Sequence, residues 1–161
     1  MKSLANVKEL DALRTGLLKQ HDPKKIVITV CGGTGCHGYG CEKVIEAFRS
    51  EISAKNLTAK VELRVSGCHG FCEKGPLALI QPKGVFYNRI DPTDVPAIIK
   101  KTVLGEVDGG KAKLEKEVPF YSNQMRLILG ANQRINADSV NDYIADGGFV
   151  ALAKAFTMKP E

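Results

Sequence analysis

Two close pairs of cysteines constrain this chain more than any other feature of its sequence. Four residues separate Cys31 from Cys36, and three separate Cys68 from Cys72. Each pair lies in a glycine-bearing turn that follows a short stretch with the pattern of a buried β-strand. Because two loops at strand ends can face each other, we expect the four thiols to surround one small metal centre.

The kind of centre follows from the donor type and the spacing. Four soft thiolates on glycine-bearing loops suit a [2Fe-2S] cluster, whose sulfurs also need backbone N–H donors nearby. A zinc ion bound by four cysteines is the main alternative, although zinc sites more often use pairs separated by two residues. A thiol-disulfide oxidoreductase is a further alternative, but the sequence has no Cys-x2-Cys motif at a helix start.

The fifth cysteine makes the first pair ambiguous. Cys36 and Cys41 have the same spacing as Cys31 and Cys36, so spacing alone permits either as the N-terminal pair. Position favours Cys31, which ends a predicted strand, whereas Cys41 is predicted at the start of the next helix. The simpler interpretation of Cys41 is a small, packed core residue.

Two histidines directly follow cysteines. A Rieske centre uses two histidines as iron ligands. His37 directly follows Cys36, and His69 directly follows Cys68. Because side chains of adjacent residues tend to point apart, each histidine is expected to face away from the cysteine before it. We therefore interpret both histidines as loop residues near the centre, where they can influence its potential or its surrounding charge.

Composition and charge restrict the class of protein. With 161 residues and 43% hydrophobic content, the chain can form one ordinary domain, or a small domain with an appendage, and can pack a core without a metal. The net charge of +5 comes from the part of the chain that holds the cysteines. Its lysines are scattered and tryptophan is absent, so nucleic-acid binding is not expected.

The N-terminal residues help to predict the cellular compartment of the protein. Residues 3–20 have apolar residues at helical spacing and resemble no signal peptide, and no apolar run reaches the length of a membrane span. Five cysteines, an odd number, argue against a disulfide framework. We therefore expect a cytoplasmic protein without a direct membrane span.

The hydrophobic pattern predicts an α/β fold with the element order β-α-β-β-β-α, the plan of thioredoxin-like domains. Strands are predicted at 25–31, 60–65, 77–81 and 85–87, and helices at 42–54 and from Asp91 to about Leu104. The last two strands form a predicted hairpin. If the first two strands pair, the two cysteine turns lie side by side.

The pattern changes after residue 105. We predict an N-terminal helix within 1–22, the cysteine-bearing domain at 23–105, a charged linker at 106–119 and a short helical segment at 120–161. In that segment we expect a helix over 120–129, one capped by Asn136, and one around Leu152. These helices have apolar faces with little to bury them, so we expect them to pack on further polypeptide or a partner.

Several motifs together resemble a known family. The segments are Val30–Cys36, Ser66–Cys72 followed by Gly75–Leu77, and Tyr87–Ile99. They are similar to the thioredoxin-like [2Fe-2S] ferredoxins. The closer similarity is to the N-terminal extension of a group of flavin-bearing, NADH-oxidising subunits. Such subunits belong to electron-bifurcating [FeFe]-hydrogenases, to NAD-linked formate dehydrogenases and to complexes related to the NADH-dehydrogenase module of complex I. Residues 119–126, 134–136 and 139–152 resemble the opening helices of that flavin domain.

The resemblance implies specific roles. It assigns cluster ligation to Cys31, Cys36, Cys68 and Cys72, and it has no ligand counterpart for Cys41. It implies one-electron transfer within an NADH dehydrogenase-type oxidoreductase, with the other subunits of a redox complex and the remainder of its own subunit as partners. The family's FMN-binding loop and its [4Fe-4S] motif follow the matching tail. FMN, NAD and the [4Fe-4S] cluster are therefore expected only in a longer parent, and this chain alone is not expected to be catalytic.

Overall fold

The computed structural model describes residues 4–105 and 112–159, and the strands within them form one mixed sheet. The strands are β1 (Ile26–Cys31), β2 (Val61–Ser66), β3 (Leu77–Gln81), β4 (Val85–Asn88) and β5 (Lys113–Leu114), in the spatial order β2-β1-β3-β4-β5. β1 and β2 are parallel, and the other neighbours are antiparallel. In the parallel pair Cys31 lies opposite Ser66, so the loops that follow both strands begin at the same end of the sheet.

Helices of different lengths surround this sheet. They are α1 (Val7–Gln20), α2 (Thr34–Gly38), α3 (Cys41–Ala54), α4 (Val95–Ile98), α5 (Pro119–Ser122), α6 (Val140–Ala145) and α7 (Val150–Ala155). A π-helical turn, Ile99–Val103, continues α4, and 3₁₀ turns occupy Cys72–Lys74, Pro92–Asp94, Glu115–Glu117 and Gly130–Gln133. In the described part of the chain, no helix is long and apolar enough to cross a membrane.

The core lies between the sheet and α3. β1 is buried over nearly its whole length, with Ile28 and Val30 fully inaccessible. α3 presents Val44, Phe48 and Ile52 at helical spacing to the same core. This packing fixes the first strand and the helix after it, and so holds the loop between them from both ends.

The predicted fold class is confirmed. The four predicted strands, the helix between the first two and the closing helix all form, and β3 and β4 make the predicted hairpin. The predicted N-terminal helix also forms, as Val7–Gln20, where the Asn6 side chain accepts a hydrogen bond from the Glu9 amide. Two elements are additional, the single turn α2 around Cys36 and the short strand β5.

Two predictions for the C-terminal segment were wrong. The predicted helix over 120–129 ends with α5 at Ser122. Leu127 and Ile128 are 84% and 89% exposed, so no buried face stabilises a longer helix there. The cap of α6 is Ser139, whose Oγ accepts a hydrogen bond from the Asp142 amide, while Asn136 accepts one from Asp138.

The predicted linker is only partly described. Residues 106–111 lie outside the described residues. Residues 113–118 pack on the sheet, because β5 pairs with the outer strand β4 and Val118 is buried. The edge of β4 offers unpaired backbone groups, which β5 satisfies. The division into four segments remains a prediction, but residues 112–119 form part of the packed structure.

Truncating a core side chain on α3 tests this arrangement. We expect Phe48→Ala to lower the free energy of unfolding by about 3–5 kcal/mol, since the ring is fully buried and its removal leaves a cavity. Leu18→Ala on the exposed side of α1 is the control, with an expected change below about 0.5 kcal/mol. Denaturant unfolding measures both, and similar losses in the two variants would contradict the assignment of the core.

Candidate metal centre

The end of the parallel strand pair brings the four predicted cysteines together. Cys31 is the last residue of β1, and Cys36 lies in the turn α2. Cys68 lies in the loop after β2, and Cys72 begins the following 3₁₀ turn. Cys31 and Cys36 are buried, whereas Cys68 and Cys72 are partly exposed. The first pair therefore faces the core, and the second lies nearer the surface.

The four sulfur atoms form a continuous row. The Cys31 thiol is hydrogen-bonded to the thiols of Cys36 and Cys68. The Sγ atoms of Cys68 and Cys72 are 3.5 Å apart. Within residues 4–105 and 112–159, no three His, Cys, Asp or Glu side chains converge on the position of a single ion. The thiols are thus successive neighbours, from Cys36 through Cys31 and Cys68 to Cys72, at the junction of the two loops.

Glycines allow the two loops to approach this closely. A Cβ atom on Gly33 would lie 2.7 Å from the Cβ of Cys68, and one on Gly35 would lie 2.9 Å from the Sγ of Cys72. On the other side, a Cβ on Gly75 would lie 2.9 Å from the Sγ of Cys36. Since real side chains do not tolerate such distances, glycine is required wherever the loops touch a cysteine.

Backbone amides point at the sulfur atoms. Cys31 receives hydrogen bonds from the amides of Gly33 and His69, and Cys36 receives one from Leu77. The Gly70 amide donates to the Sγ of Cys68 at 3.3 Å. These N–H groups stabilise negative charge on sulfur, as thiolate ligands and cluster sulfurs require.

The pKa values within the row diverge. The hydrogen bond from Cys36, supported by the backbone amides, lowers the pKa of Cys31 to about 6 although burial opposes this. The same hydrogen bond and burial raise the pKa of Cys36, and burial raises the pKa of Cys68. Of the hydrogen-bonded pair Cys31 and Cys36, Cys31 is therefore the thiol whose deprotonated form is favoured. A metal ligand must be deprotonated, so Cys31 is the thiol best prepared for that role.

Cys41 lies outside the row. It is fully buried at the start of α3, and burial raises the pKa of its thiol. The Cys41 thiol interacts with Cys31 and Cys36 through charge, whereas the thiols of the row are hydrogen-bonded to one another.

The two histidines have different surroundings. The side chain of His37 is about half exposed, and its Nδ1 lies 3.2 Å from the Glu42 carboxylate. His69 is only 1% exposed and its ring nitrogens face hydroxyl groups. Burial, together with the charge of Arg126, lowers the pKa of His69 to about 4, so the ring is neutral at physiological pH.

The structural role of His69 could not be found from the sequence. Its Nε2 lies 3.1 Å from Ser66 Oγ and its Nδ1 lies 3.1 Å from the hydroxyl of Tyr121. Tyr121 is 52 positions away along the chain, and no local pattern links the two residues. The tertiary fold alone brings them together.

A sheet of this topology with cysteine loops at the end of its parallel pair defines an iron–sulfur protein of the ferredoxin class. Four thiols in a row, with amide donors directed at three of them, fit the ligand set of a binuclear cluster. Residues 16–103 match the family thioredoxin-like [2Fe-2S] ferredoxin, which is more than half of the chain. The chain belongs to this family.

Individual relatives are similar to about half of the chain. A 2Fe-2S ferredoxin of Clostridium pasteurianum is 30% identical over 73 residues, which are 45% of this chain and 72% of the relative. A 2Fe-2S ferredoxin of Aquifex aeolicus is 31% identical over 71 residues, or 44% of this chain and 64% of the relative. The solved structure of a thioredoxin-like [2Fe-2S] ferredoxin from Aquifex aeolicus aligns with a TM-score of 0.47 and 27% identity, covering 51% of this chain and 83% of that one.

The loop contacts predict a difference between two glycines of α2. In Gly35→Ala the new methyl group meets Cys72, so we expect a loss of about 1–3 kcal/mol in the free energy of unfolding and less bound iron per chain. Gly38→Ala is the matched control, because no atom lies within 4 Å of its added Cβ. Denaturant unfolding and iron analysis measure both effects. Equal iron content in the two variants would show that the loops do not approach as described.

Proposed function

We propose that this chain transfers single electrons through a [2Fe-2S] cluster held by Cys31, Cys36, Cys68 and Cys72. The observation that carries this proposal is the row of four thiols with backbone amides directed at three of them. When bound, the cluster supplies a centre that accepts or gives up one electron at a time. Family membership supports the same function.

The protein groups around the site have separate tasks. The buried thiols of Cys31 and Cys36 anchor the site to β1 and α2 and keep water from that side. The amides of Gly33, His69 and Gly70 stabilise the additional negative charge of the reduced state. Cys68 and Cys72 are partly exposed, so their loop is the proposed face where electrons enter and leave.

The surroundings of Cys31 disfavour thiol-disulfide exchange. Such an enzyme needs an accessible thiolate of low pKa. Cys31 has the lowered pKa but is only 1% exposed, so a disulfide substrate cannot reach its sulfur in the folded protein. The zinc alternative differs from the cluster in metal content and in redox behaviour, and the following experiment separates the two.

Metal analysis of an anaerobically purified sample tests the proposal directly. We expect about two irons and two sulfides per chain, with visible absorption bands that bleach on addition of dithionite. About one zinc per chain in a colourless, redox-silent sample would overturn the proposal. Reconstitution with iron and sulfide tests a sample that contains no metal.

Single Cys→Ser variants test the ligand assignment. Replacement of Cys31, Cys36, Cys68 or Cys72 exchanges a soft sulfur donor for a harder oxygen, so we expect a changed visible spectrum or a loss of iron. Cys41→Ser is the matched control and should keep the wild-type spectrum, although burial of its hydroxyl can lower stability. An unchanged spectrum in Cys31→Ser together with a changed one in Cys41→Ser would reverse the choice of N-terminal pair.

We further propose that the chain serves an NADH-linked oxidoreductase of the NADH-dehydrogenase or bifurcating-hydrogenase type in the cytoplasm. The support is the similarity of residues 119–152 to the opening helices of the flavin domain in that family. Exposed apolar side chains in the same region, among them Leu127, Ile128 and Phe156, also suit burial against further protein. The proposed partners are the remainder of its own subunit and other subunits of a redox complex.

Flavin and nucleotide binding test this larger assignment. We expect the 161-residue chain neither to bind FMN tightly nor to oxidise NADH, because the similarity reaches only the opening of the flavin domain. Fluorescence titration with FMN and an NADH oxidation assay measure these properties. In cell extracts, an antibody against this chain should detect a longer polypeptide that retains FMN. A detected polypeptide without flavin, or tight FMN binding by the isolated chain, would contradict the assignment.

A further inference from the structure

Residues after position 112 cover the second cysteine loop. The Phe120 ring stacks on Phe71 with a centroid distance of 4.1 Å. The side-chain amide of Asn132 donates a hydrogen bond to the carbonyl oxygen of Cys68 at 2.7 Å. Both Phe120 and Asn132 lie beyond residues 16–103, the part of the chain that matches the family. A segment outside the ferredoxin domain thus contacts the loop that carries two of the four thiols.

His69 lies at the centre of these contacts. Its backbone amide donates to the sulfur of Cys31 on the first loop. Its ring lies between Ser66 Oγ, at the end of β2, and the Tyr121 hydroxyl, in the covering segment, both at 3.1 Å. Each hydroxyl can donate or accept, so the neutral ring is satisfied in either tautomer. One residue therefore connects β2, the first cysteine loop and the covering segment.

Tyr121 is itself held firmly. Its ring packs edge-on against Phe86 of β4 at 5.2 Å, and the guanidinium of Arg126 lies 4.6 Å above it. The hydroxyl is therefore fixed relative to the sheet, and through it the ring of His69 is fixed as well. Because the amide of His69 is part of the same residue, the position of its N–H relative to Cys31 depends on this contact.

We infer that His69 and Tyr121 form a positioning pair, through which the segment after the ferredoxin domain holds the second cysteine loop in its cluster-binding conformation and keeps the His69 amide on Cys31. The inference rests on the proposed cluster site and names two residues that bind no iron. Loss of the contact frees the loop and withdraws an N–H donor from a ligand sulfur. The site then holds iron less firmly, and its reduced state loses stabilisation.

Tyr121→Phe is the direct test, since it removes one hydroxyl and keeps the ring. We expect iron release to a chelator to become about fivefold faster, the factor that one ordinary hydrogen bond is worth. The reduction potential should also become more negative. Tyr143→Phe is the matched control, because Tyr143 is about half exposed and packs edge-on against Phe149 rather than against the cysteine loops. Its release rate and potential should equal those of the wild type.

A combined variant shows whether Tyr121 acts through His69. In a His69→Leu background, adding Tyr121→Phe should cause no further increase in iron release. Additive effects would overturn the pairing, as would a wild-type rate and potential in Tyr121→Phe or an equal change in Tyr143→Phe.

Metal analysis of the wild type separates the proposed cluster from the proposed positioning pair. A wild-type protein that binds no iron even after reconstitution refutes the cluster, whereas a loaded wild type with an unaffected Tyr121→Phe variant refutes only the positioning pair.

Discussion

The parallel pairing of β1 with β2 is the interaction on which the rest of the structure depends. It sets Cys31 opposite Ser66, and so starts the two cysteine loops at the same end of the sheet. Side chains of α3 pack with side chains of both strands in a common core. A shift of one residue in the pairing would turn each side chain to the other face, and the two loops would no longer meet.

Two requirements then determine how the site is built: the backbones of the two cysteine loops must approach closely, and the negative charge of the thiolates must be stabilised. Thiolates in a partly buried site need compensation, and several thiolates close together also repel one another. The amides of Gly33, His69, Gly70 and Leu77 supply it. Gly35 lets α2 lie directly against Cys72, at a distance that excludes any side chain. The glycines thus serve the electrostatics as well as the shape of the loops.

The segment after the ferredoxin domain is continuous with the site. β5 extends the sheet, Phe120 covers Phe71 and Tyr121 reaches the buried ring of His69. A second attachment joins the segment to α1, where Arg14 donates hydrogen bonds to the carbonyls of Ile144 and Gly148. In the proposed function, this segment gives the electron-transfer unit a physical connection to the protein around it.

The sequence by itself determined the strand and helix order and the hairpin, and it predicted the four ligand cysteines, because periodic burial and motif spacing are local properties of the chain. It correctly placed β1 and α3 and correctly predicted the fold class. It failed at the helix over 120–129 and at the cap of α6, where the outcome depends on which apolar surface is available for packing. Only the tertiary structure decided that Lys113 and Leu114 join the sheet and that His69 meets Tyr121. Both depend on contacts between distant parts of the chain, and these contacts stabilise the structure only after the sheet has formed.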